Sequence, residues 1–127
     1  MIALGFGFSS SAGSADILAA IDAALAGTKL RREDVGMLAT ALFKHDQQCL
    51  DEVSDAVGIA ISYISREKLA GVESRLVTRS NASRERTGSD CLCEAAALAV
   101  LGEGSTLIMP RLVLGPVTCA IATGEPR

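Results

Sequence analysis

Short apolar runs alternate with amphipathic segments along most of this chain. The first run, Ile2 to Phe8, includes Gly5 and Gly7 and predicts a short buried strand. A serine-rich loop follows, in which Ser11 or Ser14 is positioned to cap the next helix with its hydroxyl group. The pattern therefore predicts a strand, a turn and a helix at the start of the chain.

Apolar residues at helical spacing and short apolar runs typical of strands divide the rest of the chain into further elements. Predicted helices span Ala15 to Ala26, Asp46 to Val57, Arg66 to Ala70 and Asp90 to Leu101. Further predicted strands span Asp34 to Leu42, Ile59 to Ile64, Thr106 to Met109 and Val117 to Ala122. Gly27 and Gly58 are expected to end the first two helices, and Ser65 to cap the third. Pro110 to Pro116 is expected to connect the last two strands.

Strands that alternate with helices predict an α/β fold. The length of 127 residues suits one domain, so we expect residues 1–127 to form a single-domain layered α/β/α sandwich. Its central sheet should be mixed, with about five strands. Because no helix is predicted between the last two strands, they should form a hairpin at one edge of the sheet.

Composition narrows the class of protein. The chain is 49% hydrophobic but only 3% aromatic and has no Trp, so its core must be packed with Ala, Leu, Ile and Val. A net charge of −3 and few stacking aromatics argue against a nucleic-acid partner. No apolar run reaches the roughly 18 residues of a membrane span, and the start lacks the basic segment of a signal peptide. We expect a cytoplasmic protein with no membrane partner.

The cysteines do not form the pattern of a metal site. The four are Cys49, Cys91, Cys93 and Cys119. No pair has Cys-x-x-Cys spacing, and His45 is the only histidine, so neither a bound metal nor another cofactor is expected. We expect the cysteines to act as small buried hydrophobic residues.

A polar stretch from Gly71 to Arg86 interrupts the regular pattern and predicts a long surface loop, which in compact domains is commonly functional or disordered. Four arginines lie in it: Arg75, Arg79, Arg84 and Arg86. The turn that follows, Thr87 to Asp90, opens a helix of small residues. A helix start offers free backbone N–H groups and a positive dipole end, so this segment is a candidate anion site.

The glycines of the first strand allow a second ligand contact. A dinucleotide fingerprint would place a glycine where Ser10 stands and an acidic residue at the end of the second strand, and this chain has neither at those positions. Backbone contact of the loop with some ligand and an ordinary strand-to-helix turn both remain compatible with the pattern.

Polar residues at the end of the second predicted strand are further candidates. Thr40 could donate its hydroxyl to a ligand, and Lys44 could pair with an anion or lie solvated beside Asp46. Glu94 is a carboxylate in an otherwise apolar helix. We favour a structural role for it, holding the local backbone or an arginine, over a buried acid with a raised pKa.

These segments together resemble a known family. The resemblance is carried most specifically by Ala39-Thr40 with Lys44, by Gly88 with Glu94 to Ala97, and by Val117-Thr118 with Ala120 to Ala122. It covers nearly the whole chain and points to CobE and to the C-terminal domain of the CbiG proteins. Two departures stand out: Arg111 replaces a common lysine, and Cys91 and Cys93 replace small residues.

The resemblance implies a function in corrin-ring construction on the way to vitamin B12. CbiG proteins are hydrolases that open a lactone on a cobalt-precorrin and release a two-carbon aldehyde. We expect this chain to correspond to CobE and to lack the remainder of a CbiG protein, so that activity is not carried over. Because no nucleophile–base pair is visible, the question of a catalytic step is left open.

The expected ligand is a precorrin or corrin intermediate, bound through its carboxylates. The expected contact residues are Gly5, Gly7, Ser9, Thr40, Lys44, Ser80, Gly88, Ser89, Glu94, Arg111 and Thr118. Other cobalamin-pathway enzymes are candidate partners. The alternatives are a non-catalytic corrinoid carrier that hands intermediates to such enzymes and a regulatory domain for a small anion.

Overall fold

The computed structural model describes residues 1–9, 11–41, 49–72, 76, 92–102 and 104–124. Its helices are α1 (Ser14–Gly27), α2 (Cys49–Val57), α3 (Arg66–Ala70) and α4 (Leu92–Leu101). Its strands are β1 (Ile2–Phe8), β2 (Met37–Ala41), β3 (Ile61–Ile64), β4 (Thr106–Leu114) and β5 (Val117–Thr123). Strands and helices alternate from β1 to α3, and helices precede and cover the remaining strands, so the predicted α/β class is confirmed.

The five strands form one mixed sheet in the order β3-β2-β1-β5-β4. β1, β2 and β3 are parallel, whereas β5 runs antiparallel to both β1 and β4. The last two strands therefore form the predicted edge hairpin. The carboxyl ends of β1 to β4 and the start of β5 lie together along one side of the sheet, which we call the carboxyl edge. This term refers to the ends of the strands and not to the lateral edge strands β3 and β4.

Helices cover both faces of the sheet and confirm the predicted layered sandwich. Leu4, Phe6 and Phe8 of β1 point to one core, which is shared with α1 and α2. Ala3 of β1 points to the other core, which is shared with α3 and α4. We call these two sides the α1 face and the α4 face.

Small residues let α4 approach the sheet closely. Its run Ala95 to Ala97 packs over Ala3, Ala39 and Ala120, all fully buried. Gly5 lies beneath the helix, where an added Cβ would overlap the carbonyl oxygen of Cys93. Because the core on this face is built from small residues, α4 packs closely against the sheet.

The start of α1 differs from the prediction. Its N-cap is Gly13, whose N–H donates to the Asp16 carboxylate at 2.9 Å, so neither Ser11 nor Ser14 caps the helix. The Ser11 hydroxyl is hydrogen-bonded to the Ser9 hydroxyl, and the Ser14 hydroxyl donates to Glu52 on α2. A carboxylate one turn into the helix reaches back to the N-cap amide and replaces a serine cap.

The predicted boundary of the last hairpin was also wrong. β4 continues through Pro110 to Leu114, and only Gly115 and Pro116 form the turn. Pro110 is tolerated because β4 is an edge strand with irregular pairing, where a missing N–H costs little.

Other element boundaries agree more closely with the sequence pattern. β1 and α3 have the predicted limits, and the Ser65 side chain caps α3 by accepting from the Lys68 N–H. Gly58 ends α2 with a φ of 87°. β2 is shorter than predicted because Arg32–Asp34 forms a 3-10 turn and the strand begins only at Met37.

Candidate functional site

Three residues form a row across the carboxyl edge on the α4 face. Gly7 of β1 pairs with Thr118 of β5, and Thr118 pairs with Val113 of β4. Cross-strand partners place their side chains on the same side of a sheet. Gly7 is buried, Thr118 is half-buried and Val113 is 56% exposed, so this row, which we call the edge row, becomes more accessible from β1 to β4 and is polar at Thr118 and apolar at Val113.

Helix α4 begins beside the edge row. Leu92 lies against Gly7 and Ala97 against Gly5, so the helix runs antiparallel to β1 and directs its N-terminus to the carboxyl edge. The first N–H groups of a helix and its positive dipole end favour an anion. The first described turn of α4 therefore lies at the carboxyl edge, which is the edge where open α/β folds bind ligands. This position agrees with the candidate anion site that the sequence indicated at the start of this helix.

Glu94 lies in the first turn of α4 and is fully buried. Its Oε2 accepts a hydrogen bond from the backbone N–H of Arg111 in β4 at 2.8 Å. The carboxylate therefore has a structural role, as favoured from the sequence, but the group that it holds is a backbone N–H of the edge strand 17 residues away and not the local backbone. Burying a carboxylate is costly unless hydrogen bonds satisfy it, and the bond to Arg111 contributes part of that compensation.

Thr40 lies at the end of β2 on the α1 face and is completely buried. Its hydroxyl donates to the carbonyl oxygen of Phe6 at 2.9 Å. The backbone pairing of β1 with β2 ends at Gly5 and Ala39, so this side-chain bond joins the two strands one residue further towards the carboxyl edge. In this geometry Thr40 supports the edge, and its direct contact with a ligand stays a prediction.

Acidic side chains occupy the α1 side of the carboxyl edge. Asp16 caps α1, Glu52 accepts from Ser14, and Asp51 lies beside Glu52 in the first turn of α2. An anionic ligand would be repelled here, because the positive end of α1 already has carboxylates beside it. The α4 face is therefore the better side for an anion.

The described cysteines are buried or half-buried and free of disulfides. Burial raises the pKa of the Cys119 thiol to about 12 and also raises the pKa of the half-buried Cys49 thiol. Both thiols are protonated at neutral pH, which is unfavourable for nucleophilic or metal-binding chemistry. Cys93 is fully buried, and Cys91 lies outside the described residues.

The structure brings part of the predicted contact set together. Four of its residues lie on or beside the α4 face near the carboxyl edge: Gly7, Glu94, Arg111 and Thr118. Gly5 is buried under α4, and Ser9 is exposed beyond the end of β1. Lys44, Ser80, Gly88 and Ser89 lie outside the described residues, as do the four loop arginines, and their contacts stay predictions.

Sequence reasoning did not identify Val113 as a candidate. The stretch from Pro110 to Pro116 was interpreted as a connection, so no strand register linked Val113 to Thr118. A signal was present in the apolar run Leu112 to Leu114 and in the Gly-Pro pair after it, which suits a two-residue hairpin turn. The proline outweighed that signal.

The described residues contain neither a membrane-spanning helix nor a cluster of metal ligands. None of the described helices is long and apolar enough to cross a membrane. Among the same residues, no group of three His, Cys, Asp or Glu side chains is arranged to hold a metal ion.

An open mixed sheet with helices on both faces places this protein in the class of three-layer α/β domains. Comparison with family profiles narrows the class: the profile described as Cobalamin synthesis G C-terminus matches residues 2–122. The chain therefore belongs to this family, the C-terminal domain of the CbiG proteins of cobalamin biosynthesis. A search among curated proteins finds no significant match.

Solved structures agree with this assignment. CobE, a protein from the cobalamin (vitamin B12) biosynthetic pathway, superposes with a TM-score of 0.91 at 21% identity over 100% of this chain and 92% of CobE. The cobalamin biosynthesis protein chiG from Agrobacterium tumefaciens has a TM-score of 0.77 and is 37% identical over 97% of this chain and 98% of its own.

A third structure is a larger protein. It is a cobalamin biosynthesis protein G homolog from Sulfolobus solfataricus, with a TM-score of 0.75 at 21% identity. The match covers 98% of this chain but only 37% of that protein. The likeness therefore concerns the fold of one part of the larger chain.

Proposed function

We propose that this protein binds a precorrin or corrin intermediate through the ring carboxylates, on the α4 face of the carboxyl edge. Membership of a cobalamin-biosynthesis family supports the ligand class. The edge row beside the N-terminus of α4 is the observation that carries the position of the site.

The chemistry of the edge row matches that of such a ring. Corrin precursors are large, partly apolar rings with acetate and propionate groups at the periphery. Val113 offers exposed apolar surface, and the Thr118 hydroxyl lies next to it. The positive dipole end of α4 and the guanidinium of Arg111 are suited to the carboxylates. A ring that lies across the row can therefore use both kinds of contact at once.

Two further candidates adjoin described elements of this edge in the sequence. Lys44 follows Ala41, the last residue of β2, by three positions, and Gly88 precedes Leu92, the first residue of α4, by four. Both lie outside the described residues, and their contact with the ligand is part of this proposal.

A titration with a metal-free corrin, followed by visible absorbance, tests the proposal. The matched ligand is the same corrin with its side-chain carboxylates converted to methyl esters. We expect saturable binding of the acid and at least tenfold weaker binding of the ester, because the ester loses the charge-assisted hydrogen bonds. Absence of binding by the acid would overturn the proposal.

Arginine variants test whether the polar stretch from Gly71 to Arg86 contributes to corrin binding. Replacing Arg79 and Arg86 with Ala should weaken binding of the acid corrin, and the loss should be larger at low salt. Arg31→Ala is the control, because the exposed Arg31 side chain forms an ion pair with Glu33 before β2, at the opposite end of the strands. Equal affinity of the loop variant and the control would remove this segment from the site.

Turnover separates binding from catalysis. Incubation of a purified precorrin with the protein alone should leave the intermediate unchanged if the protein is a carrier, whereas a new product identifies an enzyme. A rise in thermal midpoint with a nucleotide, but none with the corrin, would favour the regulatory alternative.

A further inference from the structure

Strand β4 contains two irregularities within a few residues. Between Leu107 and Leu112 it advances by five residues, whereas β5 advances by only three between the partners Ala122 and Cys119. Each of the two register shifts therefore adds one residue to β4, as in a β-bulge. The second shift places Pro110 and Arg111 opposite Ala120.

The second bulge requires a partner from outside the sheet. Pro110 has no N–H, and the Arg111 N–H donates to Oε2 of Glu94 on α4 instead of to β5. A bulge changes the direction of the side chains beside it and interrupts the hydrogen bonds between the two strands. A hydrogen-bond acceptor outside the sheet can therefore stabilise one conformation of the bulge. Glu94 is that acceptor and is fully buried.

The bulge also determines where Arg111 lies. Its partner position, Ala120, is on the α4 face, and Val113 of the edge row follows two residues later on the same strand. Arg111 is exposed, and the ion pairs found among the described residues are formed by Arg31 and Arg32 instead. Its guanidinium is therefore available to bind an anion next to the edge row, because Arg111 precedes Val113 by two residues on β4.

We propose that Glu94 is a positioning residue: by holding the bulge at Arg111, it places the Arg111 guanidinium where it binds one carboxylate of the ligand. This inference rests on the proposed function, because it assigns two residues of the same site their separate roles. Arg111 contacts the ligand, and Glu94 contributes to binding by holding the strand that carries Arg111.

A double-mutant cycle tests this division of roles with the acid corrin as probe. Arg111→Ala should weaken binding about tenfold, because one charge-assisted hydrogen bond is lost. Glu94→Ala should weaken it by a similar factor, whereas Glu94→Gln, which keeps an oxygen acceptor, should stay within about twofold of wild type. The Glu94→Ala/Arg111→Ala double variant should bind no more weakly than Arg111→Ala alone.

A purely structural Glu94 gives a different pattern. Glu94→Ala would then weaken binding by the same factor in both backgrounds, and the double variant would show the product of the two losses. That result would overturn the inference. If Glu94→Ala does not fold, Glu94→Asp withdraws the oxygen by one methylene while keeping the charge, and it is tested in the same cycle.

The ester ligand separates this inference from the proposal on which it rests. If wild type binds neither acid nor ester, the proposed function fails. If wild type prefers the acid but the cycle is additive, only the positioning role fails. Loss of acid preference in Arg111→Ala, with unchanged ester affinity, supports both.

Discussion

Gly5 shows how a single missing side chain sets the distance between a helix and the sheet. An added Cβ would overlap the Cys93 carbonyl oxygen and lie 2.5 Å from the Ala97 backbone nitrogen. Both atoms belong to the backbone of α4, which can yield only if the whole helix shifts. We expect Gly5→Ala to lower the free energy of unfolding by about 3 kcal/mol, measured by urea denaturation.

Gly71→Ala is the matched control for that substitution. Gly71 has a φ of −63°, which any residue adopts, and an added Cβ would lie 3.4 Å from the nearest atom found, the Lys68 carbonyl oxygen. The expected change is within about 0.5 kcal/mol. Equal destabilisation by both variants would contradict a specific close approach at Gly5.

Cys119 should be nearly inert in the folded protein. Burial raises the pKa of its thiol to about 12, so almost no thiolate exists at pH 8. Alkylation with iodoacetamide followed by peptide mass spectrometry should modify the half-buried Cys49 before Cys119. Modification of Cys119 should appear only after unfolding in guanidinium chloride, and rapid labelling of the native protein would contradict its burial.

The same thiol makes stability depend on pH in the alkaline range. Its pKa is raised from 9.0 to about 12, so above pH 9 the unfolded chain releases this proton while the folded protein keeps it. The stabilisation is present below pH 9 and is lost as pH rises towards 12, by at most about 1.4 kcal/mol per pH unit. Urea unfolding at pH 8 and 10.5 should show a smaller loss in Cys119→Ala than in wild type.

At the scale of elements, the Thr40 hydroxyl joins β1 and β2 just beyond the end of their backbone pairing. Thr40→Val keeps the shape of the side chain but leaves the buried Phe6 carbonyl without that donor. We expect a loss of about 1–3 kcal/mol in the free energy of unfolding. Thr40→Ser keeps the hydroxyl and should cost less, which separates the hydrogen bond from the methyl packing.

Strand β4 combines two properties that a sequence pattern treats as incompatible. It is a long edge strand with apolar exposed residues, and it contains Pro110 within irregular pairing. Unpaired edges invite association with other chains, and a proline with bulges makes the edge a poor template for a further strand. The irregular part of β4 therefore protects the edge and also carries Arg111.

At the scale of the whole molecule, the two ends of β4 provide a test of where the ligand binds. Val113 is 56% exposed at the carboxyl edge, and Ile108 is 43% exposed nearer the opposite edge. Val113→Asp should weaken binding of the acid corrin about tenfold by placing a carboxylate in the edge row. Ile108→Asp adds the same charge away from the row and should leave affinity within about twofold. The reverse order would move the site to the other end of the sheet.

Much of the architecture could be predicted because its signals are local. Apolar alternation set the limits of β1, and Ser65 marked the start of α3. A capping hydroxyl or a glycine stop acts within one helical turn, so neighbouring residues contain the information. The N-cap of α1 was missed because two serines and one aspartate compete for the same amides, and only the folded geometry selects Asp16.

The candidate site was predictable only in part. The helix start after the arginines and the role of Glu94 could be argued from residue types, because a carboxylate in an apolar helix needs a partner. The identity of that partner, the Arg111 N–H, depends on a bulge in a strand 17 residues further along. No local pattern contains that pairing.

By itself, the sequence determined the alternation of strands and helices, the small-residue core and the family to which the chain belongs. These properties depend on composition and short-range spacing. Only the tertiary structure decided that Gly7, Thr118 and Val113 form one row, and that the acidic start of α1 lies on the opposite face from α4. The reason is physical: β1 pairs with β5 across more than 100 residues, and which face a side chain occupies follows from that register.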